Sequence, residues 1–188
     1  MGKTKTNIPV KLVCGMLYRE EKDGAAASGC LRRRFGPVDF ESASVPFTQT
    51  GYYQKEMGSG LRRKFFSFRK LIAADSLSGI KLITNRIETA LSADGRRKVN
   101  LDPGYLDLAR LVLASTKDFS HRIYISRGIY AEITLLYDRC GTFRPLEWTY
   151  PDYRSSCYLS IFERIRSIYY RQISAGGRKC TAHRRRFT

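Results

Sequence analysis

"HRIYISRGIYAEITLLY", residues 121–137, alternates polar and apolar side chains on either side of one glycine. Alternation with a period of two marks a strand with one buried face. A loop at Ser126-Arg127-Gly128 folds the stretch into a hairpin, with Gly128 in the left-handed position. Ile125 then faces Ile129, Tyr124 faces Tyr130, Ile123 faces Ala131 and Arg122 faces Glu132. One side of the ribbon carries Ile123, Ile125, Ile129, Ala131, Ile133 and Leu135, and is the expected core face. The other carries Arg122, Tyr124, Tyr130, Glu132 and Thr134. That polar side has two readings. It is either a solvated cross-strand ion pair beside a tyrosine pair, worth a few tenths to ~1 kcal/mol, or one wall of a ligand pocket.

Working back from the hairpin, the chain opens on a polar segment, residues 1–7, expected to be loose. "VKLVCGMLY" (10–18) is a nearly continuous apolar run and reads as a buried strand. Residues 19–35 read as a weak helix, because Gly24 and Gly29 each cost about 1 kcal/mol relative to alanine. Residues 38–47 are extended, with Pro46 pointing to a sheet edge. Residues 48–61 form a loop with the Tyr52-Tyr53 pair, and 64–68 a strand. Leu77, Ile80, Ile83, Ile87 and Leu91 fall on one face of a helix over 75–91, with Asp75 or Ser76 as N-cap. Residues 98–102 are strand-like, and Pro103-Gly104 suits a turn. One helical turn and a strand are expected over 106–115.

Beyond the hairpin come a strand at 142–147 and an amphipathic helix over 153–173, with Asp152 as its N-cap. The basic segment 174–188 has little to bury and reads as a disordered tail. The fold class is therefore α+β: a mostly antiparallel sheet whose first half has the ferredoxin-like order βαββαβ, followed by a meander and a closing helix, in one domain over 8–173. That order puts Arg62-Arg63-Lys64 and Arg96-Arg97-Lys98 at one end of the sheet and Arg32-Arg33-Arg34 at the other. Each triplet reads as a solvated boundary.

Net charge is +17, from 34 Lys and Arg against 17 acids. Such a field suits RNA or another polyanion without selecting one. Cysteines 14, 30, 140, 157 and 180 have no framework spacing, and Cys180/His183 is a lone pair where zinc needs four ligands. No apolar run approaches the ~20 residues that span a bilayer, so no membrane is expected, and the setting reads as a reducing cytoplasm.

Several stretches carry a resemblance: "FGPVDFES" (35–42), "YYQKEMG" (52–58), "SFRKLI" (67–72), "IKLITNRIE" (80–88), "RRKVNLDPGYL" (96–106), "LVLASTKDFSHRIYISRGIYAEITLLY" (111–137) and "WTYPDYR" (148–154). With these motifs in order, the chain resembles a bacterial family catalogued as domain of unknown function 4416. The resemblance brings no reaction with it, so no catalytic residue is carried over. The glycine-broken first helix and the arginine-rich tail look unlike that family.

Polar residues concentrate in these motifs, and three of them are candidate catalytic groups. His121 is a candidate general acid or base, because histidine is the side chain most often used for proton transfer near neutral pH. Asp102 and Glu132 offer carboxylates for the same work or for Mg²⁺. Against this, Asp102 before Pro-Gly can serve its own turn, and a histidine at a strand start can be structural. Asn100, Lys117, Arg122, Arg154, Tyr124 and Tyr130 are the candidate ligand-binding residues, the arginines suiting phosphate or carboxylate. There is no G-x-x-x-x-G-K-[ST] phosphate loop. Three function classes follow: recognition of RNA or another phosphate-rich polyanion; an enzyme acting on a phosphorylated or nucleotide-like small molecule; or a non-catalytic partner-binding scaffold.

Overall fold

The structure is a computed structural model describing residues 2–3, 7–48 and 53–184, with side chains described except at 54, 55 and 176–184. Tyr52, most of the 1–7 segment, the side chains of Cys180, His183 and Arg184, and all of Arg185-Arg186 lie outside the described residues.

Among the described residues nine strands form one sheet. They are β1 (Val10–Tyr18), β2 (Val38–Glu41), β3 (Val45–Pro46), β4 (Arg62–Ile72), β5 (Val99–Leu106), β6 (Arg110–Ser115), β7 (Ile123–Ser126), β8 (Ile129–Tyr137) and β9 (Phe143–Pro145). Four helices accompany them: α1 (Glu21–Phe35), α2 (Gln54–Met57), α3 (Leu77–Ala90) and α4 (Ser156–Arg184). The order across the sheet is β2-β4-β1-β5-β6-β8-β7, and β3 lies on the edge of β4, as Pro46 requires. The path β2-β4-β1-β5 is the ferredoxin-like arrangement, every neighbour antiparallel. The second half extends that sheet by a meander. Arg62 and Val99 both pair with Tyr18, so β4 and β5 do begin at one end of the sheet.

The two sheet faces bury different helices. Leu12, Cys14, Met16, Tyr18, Phe66, Phe68 and Leu101 pack under α1 and α3. Gly24 of α1 lies so close to the Tyr18 ring that a Cβ there would sit 2.8 Å from it, so this helix needs its glycine to dock. On the opposite face Val13, Phe65, Leu106, Leu111 and Leu113 meet Tyr158, Phe162, Ile165 and Tyr169 of α4. Lys11 shares that face, fully buried. Its ammonium is bound by Asp39, by Phe68 O at 3.0 Å and by Gln172 Oε1 of α4 at 2.6 Å.

Five expectations about the elements change. First, Pro103-Gly104 is no turn, because β5 runs through it. Proline is tolerated because the ladder to β6 starts only at Gly104, so its missing amide breaks no rung there. Gly104 answers a close approach, since a Cβ would lie 2.3 Å from Val112 O. Second, no helical turn precedes β6. Asp107 instead accepts from the amides of Ala109 and Arg110 at 2.7 and 2.8 Å.

Third, neither expected N-cap serves. The Ser76 hydroxyl donates to Ala73 O at 2.6 Å, and Asp152 sits in a short 3-10 turn with its carboxylate turned to Arg63. Ser155 caps α4, accepting from Tyr158 N at 3.4 Å. Fourth, the basic triplets are not all solvated. The Arg63 side chain is 3% exposed, while Glu41 ties Arg32 and Lys64 together at 2.6 and 2.8 Å. Fifth, the closing helix, read as ending at 173, continues to Arg184.

Substituting Gly104→Ala forces the β5–β6 backbones apart, and urea unfolding should report a loss of about 2–3 kcal/mol. Gly60, at positive φ with open space around it, is the control for strain alone.

Candidate functional site

The hairpin pairs Ile123 with Ala131 and Tyr124 with Tyr130, as its alternation predicts. Its loop is shorter than expected: Ser126 pairs with Ile129 across a two-residue turn at Arg127 (φ 55) and Gly128 (φ 75). The extra residue is taken up by a bulge between Tyr124 and Ser126.

Burial divides the hairpin by strand rather than by face, since β8 is covered on both sides while Ile123, Tyr124 and Ile125 of β7 are exposed. Ile123 is 72% exposed and Ile125 38%, whereas Glu132 is 3% and Thr134 0% exposed. β7 is the last strand in the order, and at the turn Ser126 Oγ meets Ser78 Oγ of α3 at 2.7 Å. Only Ile129, Ala131 and Ile133 of the expected core face join Leu77 and Val112. A second bulge, opposite Leu111 and Val112, turns Leu135 to the α4 face.

The polar side is also covered at Glu132 and Thr134. Arg122 donates from Nε to Glu132 Oε2 at 2.7 Å and from Nη1 to Ser115 Oγ and Lys117 O, each at 2.9 Å. Its Nη2 donates to the Tyr150 hydroxyl. The Arg122 and Glu132 side chains are 3% and 1% exposed, so the reading as a solvated pair does not survive. His121 Nε2 stands 3.4 Å from the same Glu132 oxygen. The His121 ring lies nearly parallel to Phe119 and Trp148, with centroids 5.9 and 5.6 Å away. An open cavity of about 510 Å³ lies against Ser120, His121, Glu147 and Trp148.

Strand alternation places Asn100 and Asp102 on the same face, opposite Leu17 and Gly15 of β1. Asp102 accepts from Arg63 Nη1 at 2.8 Å, and Asp152 lies 3.4 Å from Nη2. Arg97 joins Asn100 Oδ1 at 2.9 Å to the Glu56 carboxylate at 2.6 Å. Tyr150 links the halves: it bonds Arg122, and both Glu132 and Asp102 act on its charge. Burial and those carboxylates push its hydroxyl up to about 12, so it remains protonated.

The two carboxylates on Arg63 are driven apart. Burial pushes Asp102 up, but the charges of Arg63 and Lys81 outweigh it and hold Asp102 below the usual carboxylate range. At Asp152 burial wins over Arg63, and its pKa rises. Carboxylates separated in this way are common in acid–base sites. Three buried polar atoms, Arg63 Nε, Asn100 Nδ2 and Tyr153 Oη, have no hydrogen-bond partner.

The remaining sequence candidates sort plainly. Arg154 is taken up by backbone carbonyls, donating to Thr149 O at 2.8 Å and to Leu146 O and Glu147 O. Lys117 contributes its carbonyl to Arg122 and its amide to Ser115 Oγ. Tyr124 and Tyr130 form an edge-to-face pair, centroids 5.4 Å apart, beside the site. For Mg²⁺, the carboxylates of Asp102 and Glu132 already face guanidinium groups, and no cluster of three His, Cys, Asp or Glu suited to a metal exists among the described residues. Sequence reasoning missed Arg63, Arg97 and Tyr153. Parity was the available signal for the first, because Arg63 shares its strand face with Phe65 and Ser67.

A family model described as a domain of unknown function (DUF4416) matches residues 8–169. The chain belongs to the DUF4416 family. No curated protein and no solved structure gives a significant match. Among the described residues no helix is long and apolar enough to cross a membrane.

Replacing Asp102 by Asn removes a charge from the buried Arg63. At neutral pH this should cost about 3 kcal/mol, the lower end for a broken buried pair, since Asp152 remains. Because the folded pKa of Asp102 lies below its ordinary value of 3.8, the stabilisation is present above pH 3.8 and fades as pH falls through the lowered value. Denaturation curves of the wild type and Asp102→Asn should therefore converge in strong acid.

Proposed function

We propose that this DUF4416 protein is an enzyme acting on a phosphorylated or nucleotide-like small molecule, with His121 as its general acid or base. The observation that carries the reading is the His121–Glu132 contact at the mouth of a cavity. A carboxylate at Nε2 fixes the ring and its tautomer and leaves Nδ1 to exchange a proton with substrate. Glu132 is held in place by Arg122 and by Thr134 Oγ1 at 3.3 Å.

The substrate class is suggested by buried donors around Arg63, on the same sheet face as Glu132. Arg63 Nε is a donor only, and Tyr153 Oη can donate, yet neither has an acceptor among the described residues. Buried donors in this condition call for acceptor oxygens, which phosphoryl and carboxyl groups supply. Gly15 lets these groups pack closely on β1, since a Cβ there would press within 3.1 Å of Arg63 Nη1 and 3.2 Å of Tyr153 Oη. Recognition of an RNA chain is less well supported by this face, because Arg63, Arg97 and Arg122 are each already paired with a carboxylate.

A thermal-shift panel of inorganic phosphate, pyrophosphate, ribose 5-phosphate and nucleoside monophosphates tests the reading. A ligand at ten times its Kd should raise Tm by about 3–6 °C, and His121→Asn should retain that shift while Asp102→Asn loses it. If no small molecule shifts Tm while a short RNA binds with steep salt dependence, the polyanion reading replaces this one.

A further inference from the structure

We propose that the cavity beside His121 is a subsite for a planar nitrogen heteroaromatic ring, stacked against Trp148. The proposal rests on the reading of His121 as the acid–base group and names the part of the substrate that the inner donors do not.

Trp148 is 41% exposed, yet it is fixed in place: its Nε1 donates to Ile133 O at 2.9 Å, and one ring face lies within 10° of the His121 plane. Phe119, 55% exposed, continues the series at 17° to His121, with the Arg122 guanidinium carbon 4.8 Å from its centroid. Phe119, His121 and Trp148 are therefore held nearly parallel at the mouth of a polar site. Exposed aromatic surface is unfavourable in water, and here it is also ordered in advance, which lowers the entropy lost when a flat ligand stacks on it. The cavity of about 510 Å³ is within the usual range of small-molecule sites.

The polar groups at its rim select within the aromatic class. Glu147 supplies a carboxylate and Ser120 a hydroxyl. A carboxylate accepts hydrogen bonds and repels anions. The ring that fits presents an N–H edge to Glu147, and any phosphoryl group points away from it, toward the inner donors.

Trp148 is the sole tryptophan of the chain, so its fluorescence reports this subsite directly. The full-length protein would be titrated with AMP, GMP, CMP and UMP, with ribose 5-phosphate as the ring-free probe. Saturable quenching by at least one monophosphate and none by ribose 5-phosphate is the expected result. Trp148→Ala, followed by thermal shift because it removes the reporter, should weaken that nucleotide about tenfold, within the range for one lost aromatic stacking contact. Glu147→Gln, a surface change that leaves the fold intact, should alter the preference among the four bases. If ribose 5-phosphate raises Tm while no monophosphate quenches Trp148 or binds more tightly, the ring subsite is wrong and the acid–base reading stands. If nothing in the series binds, both fall.

Discussion

A guanidinium group withdrawn from water must have a carboxylate beside it, and this sheet withdraws two. The side chains of Arg63 and Arg122 are each 3% exposed, one on β4 and one at the start of β7. Their partners lie on the same sheet face: Asp102 on β5, with Asp152 before α4, and Glu132 on β8. An unpaired charge at such depth would cost several kcal/mol. That requirement fixes which way β5 and β8 present their side chains at this end of the sheet, and it accounts for the polar cluster inside an otherwise apolar layer.

The same face is apolar at its other end, where α4 lies over Val13, Phe65 and Leu113. The bulge in β8 makes the change possible. Glu132 and Leu135 differ by an odd number of positions, so a regular strand would turn them to opposite sides. The irregularity opposite Leu111 and Val112 brings both to the α4 side, one to the charged end and one to the core. α3 supplies a second polar repair. Lys81 donates to Leu101 O at 2.8 Å, and Glu88 accepts from Leu101 N at 2.6 Å, satisfying the backbone of β5 where β6 has not yet joined it.

Much of this was legible in the sequence, for reasons that can be named. The element order gave the ferredoxin-like half, and period two gave the register of Tyr124 with Tyr130 and the shared side of Arg122 and Glu132. Alternation says which residues share a side but not which side is covered, so Ile123 was placed inside and Glu132 outside. Pro103-Gly104 carries the chemistry of a turn, but here it marks the place where β5 gains a neighbour and Val112 O comes close. Arg63 was hidden in a triplet that reads as a charged boundary. Tyr153, Arg97 and Glu56 are far apart in sequence and meet the site only through tertiary packing.

The central claim is that Arg122 and Glu132 form a desolvated pair inside a covered site rather than a surface cross-strand contact. A double-mutant cycle with Arg122→Met and Glu132→Gln, followed by urea unfolding at neutral pH, measures it most directly. A coupling energy of about 2 kcal/mol or more, little changed by salt, is the predicted result. A coupling of about 0.5 kcal/mol or less that salt removes would place the pair in water and contradict the account.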